Sequence, residues 1–157
     1  GYLDAVVTQN VDNLHQEAGS RTVVEFHGNF TRVVCLKCGS RHRASDIVLD
    51  ALPPRCECGG VLKPDGVFFG EQIPPEAYRR AMALAQACDV LLVVGTSAPV
   101  SPANQLPYLV KAGHGTVIEV NTEPTELTGS LSDYLVQGKA GEVLPRIVDA
   151  VTAASPP

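Results

Sequence analysis

What the 157-residue sequence lacks narrows the classes of protein to which it can belong. Its apolar runs, such as Val90–Val94, are far shorter than the ~20 residues that a membrane-spanning helix needs, so we expect no membrane partner. No charged and then apolar leader opens the chain, which favours a cytoplasmic rather than a secreted protein. Basic residues are few, since 12 lysines and arginines against 17 acidic residues give a formal net charge of −5. Because nucleic-acid surfaces need clustered basic side chains, we expect no direct nucleic-acid partner.

The chain also lacks an initiator methionine and opens on Gly1–Val7, whose apolar residues are typical of a buried strand. We therefore expect a fragment that is truncated on its N-terminal side. Hydrophobic residues make up 45% of the sequence and charged residues 18%, which is enough apolar material for a folded core. The length fits one domain with a small insert, and the sequence contains no internal repeat.

The spacing of the five cysteines predicts a metal site. Cys35 and Cys38 form a C-x2-C pair, and Cys56 and Cys58 form a C-x-C pair after 17 intervening residues. Two close pairs at this separation bring four thiolates to one tetrahedral centre, which suits Zn²⁺. Four thiolates leave no open coordination position, so the zinc would be structural. The alternatives are two disulfides or unrelated buried thiols, and Cys88 is expected to be a core residue.

Outside the cysteines, strand-like and helix-like segments alternate along the chain. Predicted strands lie at 2–7, 22–26, 89–94, 116–120 and 134–136, and predicted helices at 10–18, 45–52, 74–87, 102–112 and 140–153. The run 90–94 is expected to be buried on both faces of a parallel sheet. These segments predict an α/β protein with a doubly wound parallel sheet, formed by residues 1–30 and 64–157. A zinc-binding module, residues 31–63, is inserted after the second strand.

Polar residues follow two strands of the predicted sheet, where such folds bind nucleotides. Gly95-Thr96-Ser97 is a sharp turn with two hydroxyl groups just ahead of a predicted helix, and Asn121-Thr122-Glu123 follows the next strand. The G-x-G-x-x-G fingerprint of dinucleotide-binding folds is absent. These residues are therefore interpreted either as a nucleotide half-site or as turn formers at strand ends.

Catalytic candidates follow the first two predicted strands. Thr8-Gln9-Asn10-Val11-Asp12 supplies amides and a carboxylate after one strand, and His27 follows the other. An imidazole titrates with a pKa of about 6.5, so His27 can take up a proton at cellular pH. Gly28 is expected to leave open space above the His27 ring. A structural or surface role is the alternative for His27, and it is the role expected of the other three histidines, His15, His42 and His114.

In combination, these residues resemble the sirtuin family of NAD-dependent protein deacylases. The matching segments, in order, are Thr8–His15, Glu25–Gly28, the two cysteine pairs, Lys63–Glu71, Gly95–Ser97 and Asn121–Glu123. The resemblance covers nearly the whole chain. It implies a Rossmann-like domain with an inserted zinc-ribbon module, and NAD in the cleft between them.

The resemblance also implies an activity and a set of site residues. Sirtuins transfer the acyl group of an acyl-lysine protein or peptide to ADP-ribose and release nicotinamide, with NAD as co-substrate and one structural Zn²⁺. His27 would be the base that takes a proton from the nicotinamide ribose. NAD would contact Gln9, Asn10, Val11, Asp12, Gly95, Thr96, Ser97, Asn121, Thr122, Glu123 and Ala140. The substrate would add as an extra strand along Val67, Phe68, Gly70 and Glu71, and zinc would bind Cys35, Cys38, Cys56 and Cys58.

The sequence departs from the sirtuin pattern in four places. The glycine-rich N-terminal segment of the family has no counterpart here, and the pair Cys56-x-Cys58 replaces the usual C-x2-C. Phe26 stands where a leucine is typical, and Gly66 where a valine is usual. Two other functions remain as alternatives: a zinc-ribbon scaffold for protein interactions without catalysis, and a mono-ADP-ribosyltransferase that uses the same NAD site.

Overall fold

A computed structural model describes residues 2–154, and Gly1 and residues 155–157 lie outside the described part. The chain divides into two compact units, residues 1–81 and 82–157, with the boundary inside one helix. In chain order the elements are β1 (Val6–Thr8), α1 (Leu14–Glu17), β2 (Val23–Glu25), β3 (Gly28–Cys35), β4 (Arg41–Arg43), β5 (Leu62–Gly66), α2 (Pro75–Ala87), β6 (Val90–Val94), α3 (Gln105–Ala112), β7 (Thr116–Asn121), β8 (Tyr134–Gln137) and α4 (Ala140–Ala154).

The first unit opens with a two-stranded parallel sheet. β1 pairs with β2 in a register that places Val6 opposite Val23 and Thr8 opposite Glu25. β2 continues into Phe26, which is fully buried and whose N–H donates to the Thr8 carbonyl at 2.9 Å. This hydrogen bond holds the segment after β2 against the end of β1.

The start of the chain is less regular than predicted. β1 begins at Val6 rather than at residue 2, and the predicted helix 10–18 shortens to the single turn of α1. Asp12 Oδ1 accepts the Leu14 N–H at 3.0 Å, and Asn13 adopts a φ of 67°. The residues before Leu14 therefore form a side-chain-bonded turn whose backbone cannot continue a helix.

The second sheet of the first unit is antiparallel, in the order β4-β3-β5. Val33 on the central strand pairs with His42 on β4 and with Pro64 on β5. The predicted limits of the zinc module, residues 31 and 63, fall inside β3 and β5. β3 and β5 therefore run across the predicted limits of the module without a break.

The predicted helix 45–52 is wrong. A single 3-10 turn covers Ala44–Asp46, and Val48, Leu49 and Leu52 are exposed. A helix of this length is marginal in water unless one of its faces packs against the protein. These apolar side chains pack against too little of the unit to stabilise one.

The second unit contains a parallel sheet in the order β6-β7-β8 together with α3 and α4. β7 is the central strand, and its Val117 and Val120 are fully buried. Parallel strands joined through α3 confirm the predicted α/β class. Within residues 2–154, α2, α4 and the shorter helices all lack the length and apolar character needed to cross a membrane.

β6 is more exposed than predicted. The sequence predicts a strand buried on both faces, but Val90 is 54% exposed and Val93 is the one residue of β6 that is buried. β6 is an edge strand of the sheet formed by the described residues. Among the described residues, the apolar side chains of β6 are therefore only partly covered.

Candidate functional site

The four cysteines of the two predicted pairs form one cluster. Cys35 ends β3 and Cys38 lies in the following turn, while Cys56 and Cys58 lie in the turn before β5. All four Sγ atoms lie within 4.8 Å of one another, with Cys35–Cys58 at 3.5 Å and Cys38–Cys56 at 3.9 Å. A tetrahedral zinc with Zn–S bonds of about 2.3 Å separates its sulfurs by about 3.8 Å. The cluster therefore fits a zinc ion, and all five cysteines of the chain are free of disulfides.

Ser40 and His42 lie directly against this cluster. Ser40 Oγ is 3.1 Å from Cys38 Sγ and 3.3 Å from Cys56 Sγ, and His42 Nε2 is 3.7 Å from Cys56 Sγ. Hydrogen bonds from Ser40, from the Cys58 backbone and from His42 lower the pKa of the Cys56 thiol to about 6. A low thiol pKa favours the thiolate, which is the form that binds a metal.

His27 directly follows the buried Phe26, and its ring is oriented by a main-chain acceptor. Its Nδ1 lies 3.2 Å from the Gln9 carbonyl oxygen, and its ring meets the Phe26 ring edge-on at 5.5 Å. A carbonyl oxygen can only accept, so Nδ1 carries the hydrogen in this contact. In the neutral ring, Nε2 is then the basic nitrogen that can receive a proton.

A set of charged and amide side chains surrounds Glu25, the last residue of β2, two residues before His27. Glu25 accepts hydrogen bonds from Gln16 Nε2 at 2.7 Å, Asn29 Nδ2 at 2.5 Å and Arg32 Nη2 at 2.5 Å. Arg32 Nε in turn contacts Asp65 Oδ2 at 3.2 Å. Burial raises the pKa of Glu25, but hydrogen bonds from Arg32 and Asn29 outweigh it and leave that pKa below its usual value. Glu25 is therefore a carboxylate that ties β2 to β3 and α1.

Gly28 has a different role from the one predicted. Its φ is +82°, and a Cβ at this position would lie 2.2 Å from the Asp65 carbonyl oxygen. The space beside Gly28 is therefore filled by β5 rather than open. This close approach lets the Val67 N–H donate to the His27 carbonyl at 2.9 Å, which fixes the residue after β5 beside His27.

The predicted substrate edge, residues 67–71, is held by a single lysine. Lys63 Nζ contacts both Glu71 carboxylate oxygens, at 2.6 and 2.5 Å, and the Gly66 carbonyl at 3.1 Å. It also lies 4.7 Å from the centre of the Phe68 ring. Glu71 Oε2 accepts the Phe68 N–H at 3.0 Å, and Lys63 lowers the pKa of Glu71. Glu71 therefore stabilises the conformation of residues 67–71 through its own hydrogen bonds.

In the second unit, the ends of the three parallel strands meet. The Gly95 N–H donates to the Val120 carbonyl at 3.0 Å, and Asn121 Nδ2 donates to the Thr96 carbonyl at 3.2 Å. The Gly138 N–H, just before Ala140 at the start of α4, donates to the Asn121 carbonyl at 2.8 Å. The other predicted residues of this edge are exposed: Ser97, Thr122 and Glu123.

The helix expected directly after this turn begins later than predicted. α3 starts at Gln105 rather than at residue 102, and residues 101–104 form a turn. Ser97 is therefore separated from the helix by seven residues, and the N–H groups at the start of α3 do not follow it directly. Two side chains shape this turn: the Asn121 amide bonds the Thr96 carbonyl, and Thr96 Oγ1 accepts the Ala98 N–H at 3.1 Å.

Comparison with known proteins decides the family. The model of the Sir2 family matches residues 1–102. The chain belongs to the Sir2 family, the sirtuins. The NAD-dependent protein deacylase 2 of Pyrobaculum aerophilum is 51% identical over 152 residues, which are 96% of this chain and 60% of that protein. The sirtuin chain thus spans about three fifths of the length of this relative.

Solved structures of other sirtuins have the same fold. A Sir2 homologue in complex with NAD matches with a TM-score of 0.90 and 43% identity, over 97% of this chain and 59% of that one. A Sir2 complex with a p53 peptide and NAD⁺ matches with a TM-score of 0.88 and 31% identity, over 96% and 64%. The predicted fold class, a Rossmann-like doubly wound sheet with an inserted small zinc-ribbon module, is confirmed.

The structure brings the predicted residues of this sirtuin together in three groups, each inside one unit. The cysteines form one group, Gln9, His27 and Val67 form the second, and Thr96 and Asn121 form the third. Asp12 is exposed and bonds the start of α1. Cys88 is half-buried rather than part of the core.

Four residues that matter to this geometry were missed by the sequence analysis: Ser40, His42, Lys63 and Glu119. Glu119 is 1% exposed and accepts hydrogen bonds from Thr125, from Thr128 at 2.7 Å and from Ser132 at 2.5 Å. It anchors the loop that follows Asn121. The one signal in the sequence was its position, since Glu119 is the only charged residue within the apolar run of β7.

Proposed function

We propose that this chain is part of an NAD-dependent protein-lysine deacylase, which transfers the acyl group of acyl-lysine to ADP-ribose and releases nicotinamide. The observation that carries the proposal is the His27 imidazole. Its Nδ1 is fixed by the Gln9 carbonyl and its backbone is bonded to Val67, in a chain of the Sir2 family.

His27 is the base in this proposal. Its Nε2 takes the proton from a ribose hydroxyl of NAD, and the Gln9 carbonyl stabilises the imidazolium that results because it accepts the Nδ1–H. NAD supplies the ADP-ribose that accepts the acyl group. In the first unit its proposed contacts are Gln9, Asn10, Val11 and Asp12. In the second unit they are Gly95, Thr96, Ser97, Asn121, Thr122, Glu123 and Ala140.

The proposed partner is an acyl-lysine protein or peptide. It would add as a strand along Val67, Phe68, Gly70 and Glu71, where backbone hydrogen bonds give affinity and side-chain pockets give selectivity. Two observations support this edge. Its first residue, Val67, donates its N–H to the His27 carbonyl, and Lys63 bonds the Glu71 carboxylate at its other end. A related Sir2 structure contains a p53 peptide.

The proposed metal site is a structural zinc on Cys35, Cys38, Cys56 and Cys58. Four thiolates complete a tetrahedral shell, so these residues provide no position for an activated water. A cytoplasmic location is proposed together with it, because reducing compartments keep such thiols available for a metal. The net charge of −5 supports our expectation that nucleic acid is not a partner.

The test is release of nicotinamide that depends on an acyl-peptide, measured on the whole protein. His27→Ala is expected to abolish it while zinc content stays the same. The matched control is His114→Asn, because His114 is exposed with a φ of 64° and asparagine tolerates that conformation. Undiminished turnover in His27→Ala would contradict the role of His27.

Two further readouts separate the alternative functions. Calorimetry with NAD is expected to give heat of binding, whereas a pure scaffold gives none. Labelled ADP-ribose is expected on a small acyl product. Label that stays on protein would instead indicate mono-ADP-ribosyl transfer.

A further inference from the structure

Ser40 is placed to act on two zinc ligands at once. Its Oγ lies 3.1 Å from Cys38 Sγ and 3.3 Å from Cys56 Sγ, and these two sulfurs come from different cysteine pairs. A third atom, His42 Nε2, lies 3.0 Å from the same Oγ. Ser40 is half-buried, and its carbonyl accepts the Cys35 N–H at 2.9 Å, so its backbone is fixed to the end of β3.

The direction of these hydrogen bonds follows from what each atom can donate. Metal-bound sulfurs are thiolates and can only accept, so the short contacts of Ser40 Oγ with Cys38 and Cys56 are hydrogen bonds only when the hydroxyl hydrogen points to one of them. The lone pairs of Oγ then accept a hydrogen from His42 Nε2, which requires the tautomer that carries its hydrogen on that nitrogen. In this arrangement the donors run from His42 to Ser40 and from Ser40 to a thiolate.

We propose that Ser40 and His42 form a hydrogen-bond relay that positions the Cys38 and Cys56 thiolates and sets the zinc affinity of the cluster. Four thiolates around Zn²⁺ carry a net charge of −2, and an O–H donor stabilises that charge where the sulfurs crowd together. Both residues are positioning residues that act through the cysteines. The inference rests on the proposed zinc site.

The test is zinc affinity, measured on the full chain by competition with a chromophoric chelator. Removal of a partner that bonds a metal ligand typically costs 10–100-fold in affinity, so Ser40→Ala is expected to weaken binding by roughly that factor. Ser40→Thr keeps the hydroxyl and is expected to stay near wild type. The matched control is Ser45→Ala, because Ser45 is exposed in the same module and its hydroxyl bonds Asp46 at 3.0 Å.

A second pair of variants tests the donor that comes before Ser40 in the relay. His42→Gln places an amide N–H near the position of Nε2, and we expect it to retain more zinc affinity than His42→Ala. If Ser40→Ala does not fold, this pair still tests the step of the relay that begins at His42. The spectrum of Co²⁺ in the site adds a readout that a change in stability alone does not move, because a thiolate that loses a hydrogen bond shifts its charge-transfer band to lower energy.

Equal zinc affinities and unchanged Co²⁺ bands in Ser40→Ala and Ser45→Ala would overturn the relay while leaving the zinc site intact. Equal affinities in His42→Gln and His42→Ala would remove His42 from it. Failure of the unmodified chain to bind zinc would overturn the zinc site itself. The three failures are therefore distinguishable.

Discussion

Each unit of the chain contains a glutamate that accepts several hydrogen bonds from neighbouring segments, but the donors around the two glutamates differ. Glu25 in the first unit is half-buried and accepts from a guanidinium and two amides, while Asp65 links Arg32 further to Arg41. Glu119 in the second unit is buried, and hydroxyl groups are its hydrogen-bond donors. An ion pair near solvent is screened by salt, whereas dipoles around a buried charge are not. The comparison separates a carboxylate held by a charge pair from one held by neutral donors.

The largest expected effect comes from the metal, whose proposed ligands all lie in the first unit. Cys58→Ala should lose the site, since structural zinc contributes roughly 10 kcal/mol or more of binding energy to folding. Hydrogen exchange is expected to show the greatest loss of protection in residues 28–66 and a smaller loss in β7. Cys88→Ala is the control, because Cys88 lies outside the cluster. Full retention of zinc and melting temperature in Cys58→Ala would contradict ligation by four thiolates.

The next effect concerns the buried carboxylate. Glu119→Gln replaces a charged acceptor by an amide whose NH₂ faces hydroxyl donors, and hydrogen bonds to charged groups are worth about 1.5–3 kcal/mol each without being additive. We therefore expect the free energy of unfolding to fall by roughly 3 kcal/mol in chemical denaturation. Glu123→Gln, an exposed change in the loop anchored by Glu119, should leave it almost unchanged. Equal effects of the two variants would show that the hydroxyl cluster does not stabilise the loop.

Glu25→Gln should have a smaller effect on the free energy of unfolding. The side chains of Arg32 and Glu25 are 35% and 21% exposed, so solvent screens the pair and we expect a loss of about 1 kcal/mol. Raising the salt concentration should shrink this loss but not that of Glu119→Gln. A salt-independent loss in Glu25→Gln would mean that its amide partners, rather than Arg32, carry the stabilisation.

The smallest effect is the acid dependence of these two variants. For Glu119, burial raises the pKa but the hydroxyl hydrogen bonds outweigh it, so both glutamates have pKa values below the usual one. A depressed pKa in the folded state gives stability that is complete above the unfolded pKa of about 4.3 and is lost as the pH falls through the folded pKa. Each glutamine variant should therefore lose less stability than wild type on acidification, as measured by unfolding at pH 7 and below pH 4. A steeper loss in either variant would contradict the sign.

The features that sequence predicted well are those encoded by covalent spacing. Cys35-x2-Cys38 and Cys56-x-Cys58 specify their cluster almost by themselves, because two short turns leave the thiols few other arrangements. The helix 45–52 was predicted wrongly because an apolar pattern shows which residues would face a partner surface but not whether that surface exists. The burial of β6 was overestimated for the same reason.

Several ion pairs that shape the first unit join residues separated in the chain. Lys63 and Glu71 are eight residues apart, and Arg32 and Asp65 are 33 apart. No periodicity predicts such a pair, since the pairing depends on how β3 and β5 align. His42 was expected to have a structural or surface role. Strand β4, the three-residue strand that brings His42 to the cysteines, was not predicted from the sequence.

The pairing of Gly28 with Gly66 across β3 and β5 has a genetic consequence. Every missense change of a glycine codon adds a Cβ, and at Gly28 that atom would meet the backbone of Asp65. At Gly66 it would meet the ring of Phe30, at 2.2 Å, and this half-exposed ring can turn or be replaced. Alleles at position 28 should therefore be lost in any background, whereas the fate of a valine at position 66 should depend on the residue at position 30. A mutation of Phe30 would then have to arise before Gly66→Val for the valine to persist.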